Sequence, residues 1–339
     1  MSPTLPKAGP QTVSPDGRVR TAPLLRRSPA PERSQMIRHQ LERMTRLRVL
    51  GKSPTGAYLR FGEWSWGRLP QSWTTLGPAQ AYGRLMNALV RLQGNRTQYH
   101  GTFFFRNRPE LELIGRLARL RGGGSSLRLA VVACSNGAEA YSIMSAVRSS
   151  QPSMKVVMQA MDISRGVVEA AQEGIYSFGV SKLVNEAILD RMTSDEVQKM
   201  FDRDGHLLRV KSWIKEGIAW HVGDAFDPKI VDTLGHQDLV VANRFLCHME
   251  PMDAERCLRN IARLVDPGGY LFVSGVDLDV RTKVAKDLGW KPVDDLMEEI
   301  HDGDQSLRVS WPWKYWGLEP LDKSRDDWRI RYASAFQLV

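Results

Sequence analysis

The feature that most constrains this chain is an alternation that starts near residue 100, where short apolar runs of strand length are separated by segments of helical spacing. The runs are Leu127–Ala133, Val156–Met161, Ile218–Val222, Asp238–Ala242 and Tyr270–Ser274. One helix is expected just after Gly137, one over Arg165–Glu173, and one over Asp253–Leu264 with Asp253 as its N-cap. Asp266-Pro267-Gly268-Gly269 is turn chemistry that delivers the chain into the last of these strands. Strand and helix in this rhythm imply an α/β fold, a doubly wound and mostly parallel sheet covered on both faces. Trp328–Leu338, alternating weakly, is expected as an edge strand.

Ahead of that body the pattern differs. Residues 1–34 are rich in Pro, Ser and Arg without apolar periodicity and read as a disordered basic tail. Residues 35–98 read as a small helical region. A helix from Ser34 to Gly51 carries Ile37, Leu41, Met44 and Leu47, and a second opens at Pro78, carries Tyr82, Leu85, Met86, Leu89 and Leu92, and ends at Gly94. The aromatics between them, Tyr58, Phe61, Trp64, Trp66 and Trp73, lack interleaved basic residues and are expected in the core. The catalytic body is then 99–339, with an excursion over 177–216 and an extension over 276–339 that completes the sheet.

Residues 1–60 hold 12 of the 47 basic residues and three of the 38 acidic ones, so the whole net charge of +9 lies there and the remainder is balanced. Nucleic-acid binding is therefore a reading for the tail alone, and a solvated tail is the expectation. Prolines from Pro3 to Pro31 would break the amphipathic helix of a transit peptide. No apolar run approaches the ~20 residues of a membrane span. Cys134, Cys247 and Cys257 are odd in number and lack CxxC spacing, which fits neither a disulfide framework nor a zinc site and points to a reducing, cytoplasmic setting. The histidines form no HxH or HxxxH pair, so no metal is expected.

In an open α/β sheet, ligands bind beyond the carboxyl ends of the strands. The first strand ends at Cys134 and runs into Ser135-Asn136-Gly137-Ala138-Glu139, small residues that let a ligand approach backbone N–H groups at a helix start. The second ends in Asp162, followed by Ile163; an acid there can accept from a ribose diol. The Ile218–Val222 run leads to Gly223-Asp224-Ala225-Phe226, where Asp224 can accept from an adenine amino group and Phe226 can wall the ring. Three such ends without a phosphate-binding loop favour an adenosyl ligand lacking phosphates, S-adenosylmethionine, with S-adenosylhomocysteine as product.

These residues resemble the CheR-type chemotaxis receptor methyltransferases. Thr102-Phe103-Phe104-Phe105-Arg106 is similar to the family's TxFFR motif, and Ala133–Ser142 (ACSNGAEAYS) to its CSTGEEPYS loop. Asp162-Ile163 with Ala170 and Gly174-Ile175-Tyr176 is similar to its D-I…A…GIY segment, and Pro267-Gly268-Gly269-Tyr270-Leu271 to its PGGYL entry. The likeness runs over residues 100–275. It implies a Rossmann-like class I methyltransferase fold, contacts from Thr102, Arg106, Glu139 and Asp162 to S-adenosylmethionine, adenine beside 224–225, and glutamate O-methylation as ancestral chemistry. A glutamate, with an ordinary pKa of about 4.3, is already ionised and needs alignment, with Arg106 steering it.

The likeness has departures. The CRNVLIYF segment reads Ala242-Asn243-Arg244-Phe245-Leu246-Cys247-His248-Met249, with the Arg-Asn order reversed and His248 where the family has tyrosine, and the Asn of its NxT start is His100. Arg106 and His248 are the candidate catalytic residues; Asn243 and Arg244 join the cofactor set. A histidine can serve as base toward a hydroxyl or amine, so the acceptor stands as either a protein carboxylate or a small molecule. A non-catalytic S-adenosylmethionine sensor is the other alternative. The family places a small antiparallel subdomain, able to dock receptor tails, in the excursion; the short turn Asp202–His206 suggests a reduced one. Trp311–Trp316 are read as sheet-edge core or as walls of an acceptor pocket.

Overall fold

Apolar side chains on alternate positions of each strand go to opposite sides of a single sheet. The computed structural model describes residues 54–70, 73, 77–93, 101–121, 126–177, 188–303, 311–312 and 317–339. Helices α1 (Pro54–Trp66), α2 (Gly77–Gln93) and α3 (Arg108–Arg121) come first. They lead into β1 (Ser126–Val132), α4 (Ala138–Ser150), β2 (Lys155–Asp162) and α5 (Arg165–Glu173). An excursion follows, of β3 (Ile175–Ser177), α6 (Ser194–Met200), β4 (Phe201–Asp204), β5 (Leu207–Val210) and α7 (Ser212–Lys215). The alternation resumes with β6 (Ile218–Val222), α8 (Ile230–Leu234), β7 (Gln237–Asn243), α9 (Pro251–Ala262), β8 (Val265–Ser274) and α10 (Leu278–Asp287). It closes with β9 (Lys291–Pro292), α11 (Met297–Asp302), α12 (Trp328–Tyr332) and β10 (Ala335–Gln337). The chain divides into one unit ending at Thr55 and one from Gly56 to Val339.

The main sheet runs β6-β2-β1-β7-β8-β10-β9. The first five strands are parallel, and β10 is antiparallel to both of its neighbours. Leu127, Leu129 and Val131 of β1 enter one core with Leu239 and Val241 of β7, while Ala130 and Val132 enter the other with Val240 and Ala242. A strand buried on both faces carries no polar side, so its sequence reads as a continuous apolar run. The doubly wound, mostly parallel sheet is the one the sequence predicts.

Three local expectations change. The helix expected to start at Asp253 begins at Pro251 with Glu250 as N-cap, because proline at the first helical position loses no hydrogen bond and presets φ. The run 266–269 is not a turn before a strand but a bulge inside β8: Gln237 pairs with Val265 and Leu239 with Tyr270. Trp328–Leu338 is not an edge strand. It is a short helix and then β10, held between β8 and β9 with Ala335 and Phe336 buried on opposite faces, which removes the alternation an edge would show.

The excursion holds a three-stranded antiparallel sheet, β3-β5-β4, with β4 and β5 joined through Gly205 and His206. Phe104, fully buried ahead of α3, meets Tyr176 of β3 and Phe201 of β4 edge-on at ring distances of 5.0 and 5.2 Å. The TxFFR-like loop is thereby fastened to the small sheet.

At the N-terminal helices, Tyr58, Phe61, Trp64 and Trp73 are 44–63% exposed, which overturns their expected place in the core. Only Trp66 packs inward, stacked on Tyr82 and edge-on to Trp311. Trp311 is half-buried and packs against α1 and α2, with Gly83 directly under its ring and Trp66 edge-on to it. Leu85 is exposed although it shares the helical spacing of Tyr82 and Met86. The basic tail, the Ser34–Gly51 helix, His100 and Trp313–Trp316 lie outside the described residues.

Phe104→Ala should cost about 3–5 kcal/mol, since it empties a fully buried aromatic site against the small sheet. Urea unfolding should show a lower midpoint at unchanged slope.

Candidate active site

The carboxyl ends of β1, β2, β6 and β7 face one cleft of about 270 Å³. The β1–α4 turn contributes Ser135 and Glu139; the end of β2 contributes Asp162 and Ile163; the turn after β6, Asp224 and Ala225. The end of β7 and the turn beyond it contribute Asn243, Arg244 and His248, and the loop before α3 contributes Thr102 and Arg106. Eleven of the residues singled out in the sequence thus meet at one opening. Asn136 and Gly137 do not. Asn136 is buried behind the turn, its carbonyl accepting from Tyr176 Oη at 2.6 Å, and Gly137 takes φ 88° against Tyr141 and Trp220. Their part is to shape the turn. Phe226 also lies off the cleft: its N–H donates to Asp224 Oδ1 at 2.9 Å, which turns the ring onto the second core beneath Arg256. The apolar walls come instead from Ile163, Met161, Phe245 and Met249.

Asp162 is buried, and each of its oxygens takes one backbone N–H, Oδ2 from Ser135 at 2.9 Å and Oδ1 from Ser164 at 3.0 Å. A carboxylate has about four acceptor positions, so both oxygens keep capacity for a ligand hydroxyl. Arg106 donates from Nη2 to Gly101 O at 2.5 Å, and its loop is braced by Arg191, whose Nη1 donates to Arg106 O at 2.8 Å. Arg108 in turn donates to Arg191 O at 2.7 Å and holds Glu196 with two nitrogens at 2.6 and 2.8 Å.

Backbone strain gathers here. Among the described residues, five non-glycines take positive φ, and four of them stand at or beside the cleft: Phe105 (51°), Ala133 (59°), Ser135 (50°) and Arg244 (65°). Arg244 is wedged against Gly275, where a Cβ would stand 2.5 Å from the Arg244 Cα. Such conformations cost roughly 1–2 kcal/mol each and persist where the surroundings fix them. Cys134, buried beside Asp162 and Glu139, has its thiol pushed well up, mainly by burial. It stays protonated and is no nucleophile.

One residue escaped the sequence reading. Glu110, in the first turn of α3, is 5% exposed and accepts from Asn243 Nδ2 at 2.7 Å; the same nitrogen donates to Glu139 Oε1 at 2.9 Å. Asn243 Oδ1 accepts from Ser274 N–H at 3.0 Å and Ser274 Oγ at 2.8 Å, which fixes the amide's orientation. Burial, with the neighbouring Glu139 charge added, raises Glu110 from the ordinary 4.5 to about 7. Burial also raises Glu139, against the opposing pull of Arg106, Asn243 and Arg244. The signal for Glu110 was its spacing, because it shares the buried face of α3 with Leu113, Ile114 and Leu117.

The profile of the CheR methyltransferase S-adenosylmethionine-binding domain matches residues 100–283, which is 184 of the 339 residues. The chain belongs to the CheR methyltransferase family. The probable biofilm formation methyltransferase WspC of Pseudomonas aeruginosa is 26% identical over 177 residues, 51% of this chain and 40% of that protein. Chemotaxis protein methyltransferase 2 of Vibrio cholerae is 24% identical over 202 residues, 57% of this chain and 66% of that protein. This CheR-family chain therefore spans less than two thirds of either relative's length. The N-methyltransferase NodS of Bradyrhizobium japonicum, solved with S-adenosylhomocysteine, is 17% identical over 56% of this chain and 78% of that one, with a TM-score of 0.31, too low to argue from. Within the matched region, Asn243 and Arg244 fall on the reversed Arg-Asn pair, and it is the asparagine, not an arginine, that bridges the buried Glu110 and the half-buried Glu139 of this CheR-family site.

Because the folded state holds Glu110 above its unfolded value, the protein is favoured while that group is protonated and loses stability as pH rises from the unfolded 4.5 through about 7. Glu110→Gln removes that loss. Urea unfolding should show the variant gaining on the wild type by something on the order of 3 kcal/mol between about pH 4 and about pH 8. A difference that does not change with pH contradicts this.

Proposed function

We propose that this chain is an S-adenosylmethionine-dependent methyltransferase acting in the cytoplasm on a carboxylate of a protein. Family membership supports the cofactor, and the cleft suits it: hydrogen-bonding acids at Asp162 and Glu139, separated by apolar walls, with no phosphate-binding loop. Asp162 would hold the ribose hydroxyls, Ile163 and Ala225 would flank the adenine with Asp224 at its amino group, and Glu139 would hold the ammonium. When bound, that cofactor supplies an electrophilic methyl group on a sulfonium. The observation that carries the acceptor class is the pair of guanidinium groups, Arg106 and Arg244, both on the lining. They can bind and align an ionised carboxylate, which needs no proton removed before it attacks. Phe245 and Met249 narrow the cleft and help exclude water, the competing nucleophile. Among the described residues no helix is long and apolar enough to cross a membrane, and no three His, Cys, Asp or Glu are grouped to hold a metal.

A second reading rests on His248, half-buried on the same lining and able to act as base toward an amine or hydroxyl acceptor. The two part in chemistry. A carboxylate acceptor gives a base-labile ester; an amine gives a base-stable product.

Calorimetry should show S-adenosylmethionine binding that falls at least roughly tenfold in Asp162→Ala, which removes a charged hydrogen-bond acceptor. With labelled methyl donor and extract, the label should appear in protein and be released by mild base. His248→Gln should then keep turnover within roughly tenfold, whereas loss of a general base would cost about 100-fold or more.

A further inference from the structure

Behind the cleft wall stands a carboxylate that is not itself on the lining. Glu139 and Asn243 line the cleft; Glu110 lies behind them, joined to both through one nitrogen atom. The orientation of the Asn243 amide is fixed by Ser274, and its two N–H groups are divided between the two acids. A cation brought to Glu139 therefore meets the field of two carboxylates rather than one, the second of them buried where little water screens it.

We propose that Glu110 is a positioning residue for the methyl donor: through the shared Asn243 amide it holds Glu139 in place and sets a second negative charge behind it, so that its ionisation shifts the cleft's balance toward the ligand of greater net positive charge. The inference rests on the cleft being the S-adenosylmethionine site. Donor and product are the fitting pair of probes, since S-adenosylhomocysteine lacks only the methyl group and the sulfonium charge. A site that tells them apart by charge releases spent cofactor without giving up affinity for fresh donor.

The groups that face Glu110 are Arg106 from the loop before α3, Glu139 from α4, and Asn243 and Arg244 from the end of β7. With both acids ionised, two guanidinium groups balance two carboxylates. With Glu110 protonated the cluster carries an excess positive charge, which opposes a further cation. The extra charge of the donor therefore favours the ionised form, expels a proton on binding, and tightens binding as pH rises through about 7. S-adenosylhomocysteine lacks that charge, so its affinity should change less. His248, on the same lining, can add a slope of its own; substituting Glu110 leaves that contribution in place.

The test is calorimetric titration of the full chain with each ligand from about pH 6 to about pH 8. The wild type's preference for donor over product should grow by roughly threefold to tenfold across that range, and donor binding should release more protons than product binding when buffers of different ionisation enthalpy are compared. Glu110→Gln keeps the shape and the acceptor for Asn243 but removes the charge, and should flatten the preference; Glu110→Asp keeps the charge and should retain it. Should Glu110→Gln fold poorly, the buffer comparison on His248→Gln, which keeps Glu110 and removes the other titrating group, decides the matter. A preference in the wild type that is independent of pH, or a slope as steep in Glu110→Gln as in the wild type, overturns the proposal while leaving the cleft as the donor site. If neither ligand binds the wild type, the reading of the cleft itself fails.

Discussion

The side-chain amide of Asn243 is the point on which the site's geometry turns. Its oxygen takes both donors of Ser274 and so locks the end of β7 to the end of β8, while its nitrogen joins the start of α3 to the start of α4 through Glu110 and Glu139. Four elements are held by four hydrogen bonds to one amide. Burying two carboxylates is costly unless donors reach them, and a single amide can serve both only if it is turned one way. The arginine that the family places at this position would bring a charge. Asparagine brings none, so the acids depend on Arg106 and Arg244 for compensation, and the positive φ of Arg244 keeps its side chain at the cleft rather than along the strand.

Most of this could be anticipated because parallel sheets put ligand chemistry at strand ends, and strand ends are visible in sequence. Asp162 follows its apolar run directly, and Asp224 and Ser135 stand one residue beyond theirs, so naming the strands named the residues. Glu110 had no such marker. An acid in the first turn of a helix, after Pro109, ordinarily reads as a partner of the helix dipole, and its true partner is 133 residues away. Phe226 was visible but misdirected: an apolar residue beside an acid suggests a wall for a ring, yet the tight turn made by Asp224 sends it into the core. The exposed aromatics of α1 show the converse limit. Hydrophobic spacing says that a helix has an apolar face, not that something in the same fold covers it, and Phe61 stacks on Trp64 at 5.7 Å in the open.

Strain and support are placed together in this molecule. Phe105, Ala133, Ser135 and Arg244 hold left-handed backbone around the cleft, while what stands behind them is buried: Phe104 against the small sheet, Tyr141 with its hydroxyl on Ala171 O at 2.6 Å, and both faces of β1 in core. A few kcal/mol of unfavourable torsion is tolerable only where a rigid frame over-determines it. The loops at the cleft can thus offer backbone groups and charges in arrangements that an unconstrained chain would relax.

The position of β10 bears on how the polypeptide reaches this arrangement during synthesis. Among the described residues β9 pairs with β10 alone, and β10 lies along the side of β8 away from β7. A nascent chain that has emerged through residue 292 can zip its five parallel strands, yet it must keep the Leu271–Val273 edge open and β9 unmated until residue 337 leaves the ribosome. The cleft at the ends of β1, β2, β6 and β7 can form earlier. Translation past residue 292 is therefore an interval in which the half-finished sheet presents an unprotected margin, the stage at which chaperone attendance or strand exchange between neighbouring nascent chains has its opening.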